Sequence, residues 1–202
     1  MGQPNRVRDT SAALACAEAF QRVAEPLLPG IGQDVEGNVQ FPHAPRNIGD
    51  LVVAAANLAF AVELYVKALL AELQINVPQT HDLGKLYATI PQSLRNEIEK
   101  SYDTNWREHW YGKRASITIA KGPAEQPEWN DYRNQPKNLG AVLARSGDVF
   151  SSWRYIYEFT EPGQDSYQFH HFEYGLLLSA CDAIRVATNK KIRNSPGNPT
   201  PN

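Results

Sequence analysis

Cysteine is scarce in this 202-residue chain: there are two, Cys16 and Cys181, and no Cys-x-x-Cys pair. A zinc ribbon and a redox dithiol therefore have no support. Both cysteines stand in apolar helical patterns, ALACAEAF and LLLSACDAI, and read as buried free thiols. No unbroken run of about 18 apolar residues exists, so no membrane span is expected. The first residues, MGQPNRVRDT, lack the apolar core of a signal peptide, and Arg6 stands where a myristoylation signal wants Ser or Thr. These absences lead to the expectation of a cytoplasmic protein with no membrane contact. Charge of either sign is not in excess: 20 Lys and Arg against 22 Asp and Glu leave a net charge of −2. That argues against a non-specific DNA-coating protein and still allows a local basic groove. Gly-x-Ser-x-Gly, the P-loop, the Rossmann glycine pattern and His-Glu-x-x-His are all missing, and no cofactor is expected.

What is there is mostly helix. One domain is the expectation at this length, and its size would bury roughly 70% of the unfolded-chain surface. Residues 9–25 carry an apolar face with Asp9 or Thr10 as cap. Residues 26–46, with Pro26, Pro29, Gly30, Gly32, Pro42 and Pro45, read as a long loop. Residues 47–73 are the strongest helix: Leu51, Ala55, Leu58, Val62, Tyr65, Leu69 and Leu73 form one stripe, and many alanines permit close helix neighbours. A loop with Pro78 leads to a short helix at 83–89, capped by Thr80 or Asp82. Pro91 then suits the start of a helix over 91–103. Residues 105–135 are irregular, with a strand-like ASITIA. Helices over 137–158 and 169–190 complete the pattern. The expected fold is all-α: an up-and-down bundle of five or six helices in a single domain over 9–193. A flexible segment, 1–8, precedes it, and a disordered tail, 194–202, follows.

Several residues could carry chemistry. Glu63 and Lys67 stand four apart with Glu first, the better order for a helix ion pair; a solvated pair is the plain reading, a groove or subunit interface the sharper one. Asp82 reads as a helix cap, and His81 could pack on Tyr87 or bind a phosphate. The segment NWREHWYGKR interleaves Trp106, Trp110 and Tyr111 with Arg107, His109, Lys113 and Arg114. Such a mix suits single-stranded nucleic acid, and it equally describes buried tryptophans with solvated neighbours. Arg154 stands four before Glu158, as an ion-pair partner or an anion ligand. His170 and Glu173 would share a helix face at i, i+3, but two ligands without a third do not make a metal site.

Three pieces together resemble the HEPN superfamily of small α-helical bundles: NLAFAVELYVKALLAEL, with Glu63 and Lys67; THDLGKLYATIP, with His81 and Asp82; and WRYIYE, with Arg154, followed by a last apolar helix. They span roughly residues 50–187. The resemblance implies an up-and-down bundle that usually dimerises. Many members are metal-independent ribonucleases in toxin–antitoxin or phage-defence systems. Others bind nucleotides or partner nucleotidyltransferases. The nuclease members carry Arg, four to six residues, then His, because a cation steadies the developing phosphorane while imidazole moves the 2′-hydroxyl proton. No Arg in this chain has a His at that spacing; His109 follows Arg107 by two. The expectation is therefore a HEPN-like homodimer that binds a nucleotide, an RNA or a protein partner. Glu63, Lys67, His81, Asp82, Arg154, Trp106, Trp110, Lys113 and Arg114 are its candidate ligand residues. The alternatives are a ribonuclease with a rearranged pair, drawn from Arg107, His109 and Arg154 with His81, and a bundle used only for protein–protein contact.

Overall fold

The structure is a computed structural model. It describes residues 9–28, 30–33, 39–43, 48–108, 117–121, 136–147 and 168–194. Among them the order is α1 (Thr10–Ala24), a 3-10 turn (Glu25–Leu27), β1 (Gly30–Gln33), β2 (Val39–His43), α2 (Ile48–Glu72), α3 (Leu83–Ala88), α4 (Gln92–Glu108), β3 (Ile117–Lys121), α5 (Leu139–Arg145), β4 (Gln168–Phe172) and α6 (Tyr174–Asn194). The fold is all-α, with two small two-stranded ladders added to the helices.

The central element is α2. It packs against α1 on one side and α6 on another, and α3 touches it as well. Its burial is correspondingly wider than a single stripe: Ala54, Ala55, Leu58, Ala59, Ala61, Val62, Tyr65, Val66, Ala68, Leu69 and Leu70 have no exposed surface. Each fully buried leucine contributes roughly 2 kcal/mol of apolar transfer. The segment Gly49–Glu72 is long and apolar enough, at a mean hydropathy of 1.6, to cross a membrane by length and composition. Here that apolar character is absorbed by neighbouring helices. Phe20 of α1 meets Phe60 edge to face at 4.7 Å, and the Tyr65 hydroxyl donates to Gln21 Oε1 at 2.8 Å. Burial pushes the Tyr65 hydroxyl far above its ordinary value. On the other side of α6, α4 supplies Leu94, Ile98, Tyr102 and Trp106 to the core.

Local chemistry sets the ends of the elements. Asp9 caps α1 through Ala12 N–H at 2.9 Å. Asp82 caps α3 through Lys85 N–H at 2.9 Å, and Asn138 caps α5 through Ala141 N–H at 2.9 Å. α2 ends in a left-handed turn at Gln74, φ 57°. There Ile75 N–H reaches back to Leu70 O and Gln74 N–H to Ala71 O, both at 2.9 Å. This pairing satisfies carbonyls that the last turn would otherwise leave bare, and it reverses the chain over the helix it has just left. α3 and α5 approach closely because position 84 is glycine: a Cβ there would lie 2.8 Å from Ala144 Cα.

Several expectations change. Residues 26–46 are more than loop, since β1 and β2 pair antiparallel between Gly30↔His43 and Gln33↔Val39. Pro42 is tolerated because each strand of a two-stranded ladder has one unpaired edge. The last helix begins at Tyr174, five residues later than expected. Before it, QFHHF pairs as β4 with β3, from Ile117↔Phe172 to Lys121↔Gln168. Aromatics favour a strand once a partner is present, and helical periodicity hides that. His170 and Glu173 therefore share no helix face. The helix expected over 137–158 is described as α5 and a turn at Ser146–Gly147; its later part lies outside the described residues. Cys181 is buried as expected and its thiol is pushed well up by burial, but Cys16 is exposed, on the side of α1 away from Leu14 and Ala17. Segments 1–8 and 195–202 lie outside the described residues.

Candidate functional site

Lys67 follows Glu63 by one helical turn on α2, and its Nζ lies 2.6 Å from Glu63 Oε1. The expected solvated pair is not what forms, because the Glu63 side chain is 1% exposed. A buried carboxylate needs donors for its oxygens, since losing water without replacement costs several kcal/mol. The second donor comes from the loop that the left-handed turn at Gln74 directs back along α2. His81 Nδ1 lies 2.9 Å from Glu63 Oε2 and 3.1 Å from Oε1.

This geometry fixes the chemistry of the ring. A carboxylate only accepts, so Nδ1 carries the hydrogen and a neutral His81 has its lone pair on Nε2. The His81 side chain is 58% exposed, while the Glu63 carboxylate it meets is buried. Lys67 keeps 17% of its side chain exposed. The three residues make an edge with a cation, an oriented imidazole and a buried carboxylate beneath both. Such a set can hold an anion, accept a hydrogen bond from a hydroxyl, or carry a proton.

Asp82, next in the chain, has another task. Its Oδ1 accepts from Lys85 N–H, and its Oδ2 lies 2.9 Å from Lys85 Nζ. The backbone and side-chain bonds from Lys85 hold its carboxyl below the ordinary range. Trp106 is in the core at 8% exposure, with its indole N–H on Asp103 Oδ1 at 2.9 Å and its ring 6.4 Å from Tyr102. At that exposure it offers no open face for a base. Arg107 is placed by its backbone alone, in the last turn of α4. His109, Trp110, Lys113, Arg114 and Arg154 lie outside the described residues. The structure thus brings Glu63, Lys67 and His81 together, sets Asp82 next to His81 as a cap, and places Trp106 in the core on α4.

A second charged cluster escaped sequence reasoning. Glu173, between β4 and α6, accepts from Lys137 Nζ at 2.6 Å and from Arg145 Nη2 at 2.6 Å, while Arg145 Nη1 donates to Pro136 O at 2.7 Å. Burial pushes the Glu173 carboxyl up, but the bonds from Lys137 and Arg145 outweigh it and hold the group below its ordinary value. On the α4 side, Glu99 Oε1 accepts from Leu139 N–H at 2.6 Å and the Tyr102 hydroxyl donates to Lys137 O at 3.0 Å. These contacts tie α5 between α4 and α6. The only local hint was a carboxylate at a helix start, where it favours the dipole. Among the described residues, no group of three or more His, Cys, Asp and Glu is placed to hold a metal ion.

The family model described as HEPN domain matches residues 46–113. That stretch holds α2, α3 and α4, and with them Glu63, Lys67, His81, Asp82 and Trp106. No curated protein and no solved structure matches the chain.

Proposed function

Taking residues 46–113 as a HEPN domain, we propose that this chain is a nucleotide- or RNA-binding module that does not cleave its ligand. The observation that carries the reading is the convergence of Lys67 and His81 on buried Glu63, which leaves a cation and an oriented, half-exposed ring at one edge. The absence of an Arg-x4-6-His pair anywhere in the sequence supports binding without cleavage. The test is twofold: anisotropy titration of labelled single-stranded RNA, and incubation of RNA with the purified protein in EDTA. Binding without cleavage is expected. Binding that persists unchanged in a Lys67→Ala, His81→Ala double variant would remove this edge from the proposal.

One observation favours a second reading, a metal-independent ribonuclease with a rearranged pair. A histidine oriented by a carboxylate is the arrangement a general base needs. Cleavage that co-elutes with the protein, survives EDTA and disappears in His81→Ala would put this reading first. The proposal also includes a homodimer working in the cytoplasm, with a nucleotidyltransferase as protein partner and a toxin–antitoxin or defence role. Native mass spectrometry of the purified chain tests the subunit count.

A further inference from the structure

The two buried carboxylates are joined through α5. Glu173 binds both ends of that helix: Lys137, just before its start, reaches Oε1 at 2.6 Å, and Arg145, its last residue, reaches Oε2 at 2.6 Å. Glu99 and Tyr102 of α4 hold the same start, through Leu139 N–H and Lys137 O. A helix of 7 residues does not persist by its own bonds, so these ties decide where α5 lies. α3 in turn packs more extensively on α5 than on α2. Positions 140, 144 and 147 recur at helical spacing and run against α3 in reverse order. A Cβ on Gly140 would stand 3.8 Å from Tyr87 Cε1, one on Gly84 2.8 Å from Ala144 Cα, and one on Gly147 3.1 Å from Asp82 Oδ1. The last contact is with the cap of α3, the residue that follows His81.

We infer that α5 is the support that holds His81 against Glu63, and that Glu173 is its positioning residue. Packed and bonded groups connect each step. Glu173 fixes α5, the glycine contacts fix α3 and Asp82 on α5, and the backbone carries His81 from Asp82 to Glu63. Glu63 and Lys67 need no such support, because both are built into α2. His81 comes from a loop and does need it. The tolerance is small: Nδ1 lies 2.9 Å and 3.1 Å from the two Glu63 oxygens, and a hydrogen bond weakens steeply once it is turned or lengthened. No ligand enters this positioning, so it holds whatever the edge binds.

The experiment uses the full chain, isotopically labelled at nitrogen, at about pH 8, above the ordinary range for imidazole. Long-range proton–nitrogen spectra show which ring nitrogen of His81 carries the hydrogen, its signals being assigned by their loss in His81→Gln. The wild type is expected to carry it on Nδ1. In Glu173→Gln the ratio of the Nδ1–H form to the Nε2–H form falls about fivefold, the size of one weakened hydrogen bond. Arg145→Met moves the ratio in the same direction. A direct field effect would move it in opposite directions, since one variant removes an anion and the other a cation. Gly84→Ala pushes α3 from α5 without touching a charge, and it too lowers the ratio. Thermal melts establish that each variant is folded at the temperature of the spectra. Wild-type His81 signals in folded Glu173→Gln, or opposite shifts in Glu173→Gln and Arg145→Met, overturn α5 as the support and leave the binding proposal as it stands. Should Glu173→Gln not fold, Arg145→Met and Gly84→Ala decide: wild-type signals in both overturn it.

Discussion

Glu63 and Glu173 are both buried carboxylates with two basic partners, yet they differ in who the partners are. Glu63 has Lys67 from its own helix and His81 from a loop eighteen residues on. Glu173 has Lys137 and Arg145, thirty-six and twenty-eight residues away. Both partners of Glu173 are about a quarter exposed, whereas His81 is more than half exposed. The first cluster ends in an accessible ring; the second ties α5 to the start of α6. Burial of a carboxylate therefore does not by itself mark a site. The exposure of its partners, and the elements they come from, decide whether it orients a reactive group or locks two elements.

The largest expected effect tests the lock. Glu173→Ala removes the carboxylate that Lys137 and Arg145 share, and urea unfolding is expected to show a loss of about 3 kcal/mol, at the low end for a broken buried pair because both cations reach some water. Glu63→Ala should cost less, about 2 kcal/mol in the same measurement, since His81 rehydrates readily. Equal losses would break the comparison.

Acid sharpens it. Glu173 lies below the ordinary carboxyl value of 4.5, so below that pH the unfolded chain takes up the proton more readily than the folded one. Stability from its two bonds is complete above pH 4.5 and is lost as pH falls through the folded value. Unfolding titrations from about pH 6 to about pH 3 should show a shallower decline in Glu173→Gln than in the wild type. The same slope in both would exclude Glu173 as a source of acid sensitivity. The smallest stability effect is expected at His81: His81→Ala should shift unfolding by no more than about 0.5 kcal/mol, as for an exposed ion pair, while RNA affinity falls. A large stability loss there would make His81 a second lock.

Legibility followed distance along the chain. The helices over α1, α2, α3 and α4 were readable because their apolar residues recur at helical spacing and their caps sit within three residues of the groups they satisfy. Glu63 with Lys67 was readable as a pair for the same reason, but its burial was not: that depends on α1, α3 and α6 surrounding α2. Trp106 looked like a base-stacking face because aromatics between cations carry that pattern whether buried or exposed. β4 read as helix because its partner, β3, is remote in sequence, and pairing with it overrides local preference.

By itself the sequence determined an all-α chain, the positions of α1 to α4, a cap for α1 at Asp9 or Thr10 and for α3 at Thr80 or Asp82, and the HEPN-like order of Glu63, Lys67, His81 and Asp82. Tertiary structure alone decided that His81 turns onto Glu63, that Trp106 goes inward, and that Glu173 finds Lys137 and Arg145. Helical periodicity and capping are set by residues within a turn or two of one another. The partner of a buried charge is set by the path of all the chain between them, and no local pattern records that path.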